Sequence, residues 1–209
     1  MSKKISRMPQ SSISSIDGIA KKLESYGVDI HKNKVTGNAI ILLDCSGSMS
    51  GEKLTQAKRG AKEFIIDAQK KNYLVGLISF GSFARLVSEV TSNYYKIIEQ
   101  LENLSAYGST NLSEAIRMSN NLFIRTAINK ALIIVTDGMP DNVEESLLEA
   151  QKIKSISIEI ITIGTDDADI DFLKNIATRN DLVIPVQKEN LAKAISSASK
   201  LLPQNLKGE

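Results

Sequence analysis

The segment Asp44-Cys45-Ser46-Gly47-Ser48 sets one carboxylate and two hydroxyls at alternating positions, with only small residues between them. From a tight loop, those side chains can turn their oxygens toward one point. Oxygen-only donors of this kind suit a hard cation better than a nucleophile. Two later segments carry similar donors. Gly108-Ser109-Thr110-Asn111-Leu112 is a Gly-rich turn entering a helical pattern, and Leu132-Ile133-Ile134-Val135-Thr136-Asp137-Gly138 is an apolar run ending on a carboxylate.

These donors need elements to hold them. The run Ala39-Ile40-Ile41-Leu42-Leu43, closed by a turn signal, reads as a buried strand, and strand ends are where open α/β sheets place ligands. From Asn38 the pattern alternates buried strands with amphipathic helices, which predicts a largely parallel sheet covered on both faces with right-handed crossovers. Leu54, Ala57, Ala61, Phe64 and Ala68 mark one helix face, and Leu74 to Phe80 forms the next strand. Gly81-Ser82 predicts a hairpin. The strand after it, Phe83 to Val90, is then antiparallel and at the edge, because so short a connection cannot make a crossover. Helices are expected over Tyr94 to Leu104, Leu112 to Ile124, Val143 to Lys154 and Asp169 to Thr178. Strands are expected at Ala131 to Thr136, Ile158 to Ile163 and Leu182 to Val186. A last helix, with Leu191, Ala194, Ile195, Ala198, Leu201 and Leu202 on one face, ends before Pro203.

With these residues in place, the chain resembles the von Willebrand factor A domain family, whose metal-ion-dependent adhesion site (MIDAS) reads Asp-x-Ser-x-Ser, then a Thr, then an Asp. The resemblance covers about residues 37 to 202. It implies a Rossmann-like, doubly wound, six-stranded sheet of order 3-2-1-4-5-6, with strand 3 antiparallel at the edge and helices on both faces. It also implies a metal site of Asp44, Ser46, Ser48, Thr110 and Asp137. In that family the three hydroxyls bind the metal directly, while the two acids act through bound waters. The ion keeps much of its charge and accepts a Glu or Asp carboxylate from a partner protein. Oxygen ligands with retained waters favour Mg²⁺, and the same chemistry admits Mn²⁺ or Ca²⁺. The forms Asp-x-Ser-Gly-Ser-Met and Thr-Asp-Gly-x-Pro look most like bacterial intracellular members, among them tellurite-resistance-associated proteins.

Composition narrows the other function classes. At 209 residues the chain fits one domain with a modest extension. A single cysteine, Cys45, excludes an internal disulfide, and no Cys/His cluster suggests zinc. A balance of 26 basic against 24 acidic residues gives no global field to select nucleic acid or a membrane. The basic start Met1 to Arg7 is followed by a Ser-rich stretch without an apolar core, so no secretion signal is read and a cytoplasmic location is the expectation. The expected divisions are an N-terminal extension at 1–36, the domain at 37–203 and a tail at 204–209. Within the extension, residues 1–11 read as disordered, and Ile13, Ile16, Ala20 and Leu23 read as a short helix.

Enzyme readings fare poorly. A phosphate-binding Gly-x-x-x-x-Gly-Lys loop would need Gly where Glu52 stands. A Gly-x-Ser-x-Gly elbow would need Ser where Met49 stands, and no His follows it. A Mg²⁺ or Mn²⁺ hydrolase lacks a general base other than the acids expected to anchor the hydroxyls. That hydrolase and a scaffold with a vestigial metal site, contacting partners through its N-terminal helix, are the two remaining alternatives. Met49, Tyr107, Asn111 and Met139 are expected at the rim of the contact surface. Asp141 reads as a loop or helix-capping residue, and the acids from Asp166 to Asp171 read as the first turn of a helix.

Overall fold

The computed structural model describes residues 35–165 and 167–204, and the expected N-terminal helix and His31 lie outside them. By its contacts the chain divides into Met1–Lys34 and Val35–Glu209, and every described residue belongs to the second unit. Strand β1, Gly37–Asp44, is buried along its whole length. Its side chains alternate between two apolar clusters, with Ala39, Ile41 and Leu43 in one and Ile40 and Leu42 in the other. Only a strand in the middle of a sheet covered on both faces needs apolar residues at every position.

The other strands are β2 (Tyr73–Phe80), β3 (Ala84–Thr91), β4 (Asn129–Thr136), β5 (Glu159–Gly164) and β6 (Val183–Pro185). They lie in the order β3-β2-β1-β4-β5-β6, and β3 alone runs antiparallel, at the edge. Helices α1 (Glu52–Lys70), α2 (Tyr94–Glu102) and α6 (Leu191–Ala198) supply the first cluster. Helices α3 (Leu112–Asn120), α4 (Val143–Ser155) and α5 (Ile170–Ile176) supply the second. Among the described residues, no helix is long and apolar enough to cross a membrane.

Several elements differ in extent from the sequence expectation, by up to four residues at one end. Helix α3 stops at Asn120 instead of Ile124, because Asn121 caps it and Leu122 turns back to donate to Ser119 O. Phe123 remains buried in the second cluster, so its apolar character served burial and not helix continuation. Strand β6 has three residues, with Leu182 ending a preceding 3₁₀ turn. The last helix closes in a 3₁₀ turn over Ser199–Leu201.

Strand order decides where the chemistry can be. β1 and β4 are parallel neighbours, in register Leu43 to Val135. The chain leaves these two central strands toward opposite faces, which opens a crevice at their carboxyl ends.

Candidate metal centre

Asp44 ends β1, fully buried, with both carboxylate oxygens engaged. Oδ1 accepts the Ser46 N–H at 2.8 Å, and Oδ2 accepts the Thr136 hydroxyl at 2.6 Å. The first bond folds the chain back into a 3₁₀ turn, Gly47–Met49, and the second fixes the carboxylate to the neighbouring strand. That turn brings Ser46 Oγ within 3.0 Å of Ser48 Oγ. Ser48 in turn donates to Asp137 Oδ1 at 2.7 Å. Asp137 follows β4 directly and is 1% exposed. Four of the five residues singled out from the sequence thus form one connected set of oxygens at the exits of β1 and β4.

Thr110 reaches the same edge by a different route. Its loop is tied to the Ser46–Ser48 turn where Gly47 N–H donates to Gly108 O at 2.9 Å, and Tyr107 N–H donates to Cys45 O at 2.6 Å. Gly108 sits at φ +67, a left-handed conformation that favours glycine, and a Cβ there would meet Ser82 Oγ at 1.9 Å. Asp141 clamps the loop from the far side. Its carboxylate accepts from Thr110 N–H at 3.1 Å and from Ser109 Oγ at 2.6 Å, while its own N–H donates to Thr110 O at 2.9 Å. The capping role open to Asp141 falls instead to Asn142, whose side chain accepts from Glu145 N–H.

Two residues not singled out in the sequence complete the electrostatics. Lys53, at the start of α1, donates to Asp137 Oδ2 at 2.6 Å and to Asp167 at 2.7 Å. Burial pulls the Lys53 ammonium down, but the two carboxylates outweigh it and its pKa is raised. Thr136 is the other, anchoring Asp44 across the strand boundary. A Lys five residues after Ser48 and a hydroxyl immediately before Asp137 are the signals that could have found them. Asp44 has no cationic partner among the described residues. Burial, reinforced by the negative charge of Asp137, pushes its carboxyl up to about 6, against the opposing hydrogen bonds from Thr136 and Ser46.

The rim differs from expectation at two positions. Met49 is fully buried in the first apolar cluster and cannot face a partner. Asn111 is consumed as the N-cap of α3, accepting from Glu114 N–H and donating to Glu114 Oε2. Met139 is 44% exposed and Tyr107 is half-buried. Cys45 is buried, and burial with the neighbouring Asp44 charge pushes its thiol up to about 12, far from a reactive thiolate. Of the acids expected in a first helical turn, Asp169 caps α5 and Asp171 pairs with Lys174, whereas Asp167 lies before the helix and binds Lys53.

The donor set fits a hard cation. Among the described residues no three His, Cys, Asp or Glu cluster as metal ligands, because this centre is built from hydroxyls around two acids. Buried charges are normally paired or metal-bound. Here two buried carboxylates face a single ammonium, so one negative charge lacks a counterpart when both are ionised.

Residues 38–198 match the model of the von Willebrand factor type A domain. The chain belongs to that family. A von Willebrand factor A domain-containing protein of Dictyostelium discoideum is 31% identical over 143 residues, covering 64% of this chain and 16% of that protein. The von Willebrand factor domain of the type V pili tip protein Mfa5 from Porphyromonas gingivalis superposes with a TM-score of 0.72 at 15% identity, covering 80% of this chain and 95% of that one. Proximal thread matrix protein 1 from the mussel byssus, solved with a zinc-occupied MIDAS motif, gives a TM-score of 0.68 at 17% identity over 88% of this chain and 51% of that one. This chain spans from 16% to 42% of the length of the first curated relatives it matches. Domains of this family mediate metal-dependent protein–protein interactions.

Proposed function

We propose that this domain binds Mg²⁺ at the exits of β1 and β4 and uses it to capture a Glu or Asp side chain of a partner protein. The observation that carries the reading is Asp44, a buried carboxylate with no cationic partner among the described residues, joined through Ser46 and Ser48 to a second buried carboxylate, Asp137. Ser46, Ser48 and Thr110 are the residues that would hold the cation through their hydroxyls. Asp44 and Asp137 fix those hydroxyls and balance charge. When bound, the cation supplies an electropositive position that an external carboxylate can complete.

The protein's own groups favour binding over catalysis. Both Asp44 oxygens accept hydrogen bonds, Asp137 is held by Ser48 and Lys53, and the Cys45 thiol is far from a thiolate, so none of these three groups is a free proton acceptor for activating water. The near-neutral charge balance supports a protein partner over nucleic acid or a membrane.

Calorimetric titration of Mg²⁺ into metal-stripped protein, beside Asp137→Ala, tests the reading. Saturable binding is expected in the wild type, with at least a tenfold loss in the variant. No binding of Mg²⁺ or Mn²⁺ to the wild type, or metal-dependent turnover of a generic phosphoester that Asp44→Ala abolishes, would overturn it.

A further inference from the structure

Beside the proposed metal centre, the β2–β3 edge carries an arginine prepared for an anion. Arg85 is exposed and pairs with no carboxylate among the described residues. Its guanidinium lies 4.5 Å from the centroid of the Phe83 ring and 4.9 Å from that of Tyr107. The two rings are themselves 5.3 Å apart, and the Tyr107 hydroxyl donates to Phe83 O at 2.9 Å, which locks the aromatic pair. A guanidinium stacked on aromatic faces keeps its N–H donors directed outward in the ring plane, pre-organised for a carboxylate.

A second feature points to the same place. Ser79 stands opposite Arg85 in the β2–β3 ladder and is 1% exposed. Its hydroxyl is buried, and no described group holds it in a hydrogen bond of good geometry, although the Tyr107 hydroxyl lies nearby. Arg85, Ser79, Tyr107, Leu104 and Ser105 line one cavity of about 160 Å³. An orphaned buried hydroxyl is costly unless something fills its bonding capacity, and an unpaired arginine stands at the same opening. One wall is shared with the metal centre, because the loop that carries Tyr107 is the one bonded to Cys45 and Gly47.

We propose that this cavity is a second carboxylate subsite, so that the partner segment presents two acidic side chains, one to the metal and one to Arg85. The inference rests on the metal-capture reading and adds the partner's charge pattern to it. Arg85 forms the fork of the pair, the Phe83 and Tyr107 rings hold it in place, and Ser79 supplies a further bond within the cavity. A charge-assisted, bidentate pair of this kind discriminates a two-acid segment from a one-acid segment.

Panning a displayed random heptapeptide library on the 209-residue chain separates the possibilities. Wild type in Mg²⁺, wild type in chelator and Arg85→Gln in Mg²⁺ are compared, and the selected peptides are titrated by calorimetry. Wild type in Mg²⁺ is expected to select two-acid sequences whose affinity falls at least tenfold in chelator and about tenfold in Arg85→Gln, while the variant selects one-acid sequences. Identical, Mg²⁺-dependent selections by wild type and Arg85→Gln would overturn the subsite and leave the metal reading standing. Selections without an acid or without Mg²⁺ dependence would overturn both.

Discussion

Asp44 is held at an energetic disadvantage by its surroundings when no metal is present. Its carboxyl is raised from 3.8 to about 6, so between those pH values the folded chain holds a proton that the unfolded chain has lost. Stability therefore falls as pH rises from about 4 to about 6, by about 3 kcal/mol in total, and stays lower above that range. In chelator, Asp44→Asn is expected to flatten this dependence and to be the more stable protein at pH 7, read by urea unfolding across pH 4 to 7. In Mg²⁺ the order reverses, because the variant cannot supply the charge that the cation requires. Lys53 acts in the opposite sense. Its ammonium, 2.6 Å from Asp137, occupies the charge that a divalent cation would use. Lys53→Met keeps the apolar stem and removes that competition, so Mg²⁺ affinity measured by calorimetry is expected to rise about tenfold, or about 1.4 kcal/mol. Weaker binding would instead make Lys53 a strut that positions Asp137. The Asp-x-Ser-x-Ser spacing revealed the hydroxyls and the acids directly, since neighbours in sequence share a loop. Thr136 and Lys53 were not singled out, because a single hydroxyl or a helical lysine gains meaning only when the fold sets it against a particular carboxylate.

Elements were legible where periodicity and burial coincide. The wholly buried β1 and the striped α1 read cleanly, and so did the antiparallel edge strand, whose short hairpin allows no other direction. The errors came where apolar residues are buried by something other than regular structure. Leu122 and Phe123 extended the helical pattern of α3, yet the chain had already turned at Asn121. Contacts between elements were less visible still. Gly60 lies in mid-helix on α1, where glycine would ordinarily weaken a helix by up to about 1 kcal/mol. Its reason is α6. A Cβ at Gly60 would stand 2.6 Å from Ala192 O and 2.8 Å from Ile195 Cβ, so the two helices touch through the missing side chain. Gly60→Ala gains helix propensity but must push α6 away, and overpacking of backbone against backbone dominates. The expected net loss is about 2 kcal/mol, seen as a fall of about 4 to 8 °C in Tm. An unchanged or raised Tm would mean that α6 can shift freely along α1.

At the scale of the whole molecule, the sheet separates what holds the domain together from the proposed binding centre. Two apolar clusters cover the faces, and the hydroxyl and carboxylate set occupies only the rim at the strand exits. On the proposed reading folding does not depend on the metal, and a bound metal would add to stability by mass action. At a Mg²⁺ concentration one hundred times its Kd, the gain is about 2.7 kcal/mol, which for a domain of this size raises Tm by about 5 to 11 °C. Ser48 offers the cleanest separation, because its side chain is at the surface and contributes only hydrogen bonds to Ser46 and Asp137. In chelator, Ser48→Ala is expected to unfold within about 1 kcal/mol of wild type. On adding Mg²⁺, the wild type shifts upward and the variant does not. A variant that unfolds early in chelator would make the oxygen set part of the folding core. A variant that shifts as far as wild type would remove Ser48 from the cation's ligands, and with it the connected path from Asp44 to Asp137 on which the binding reading stands.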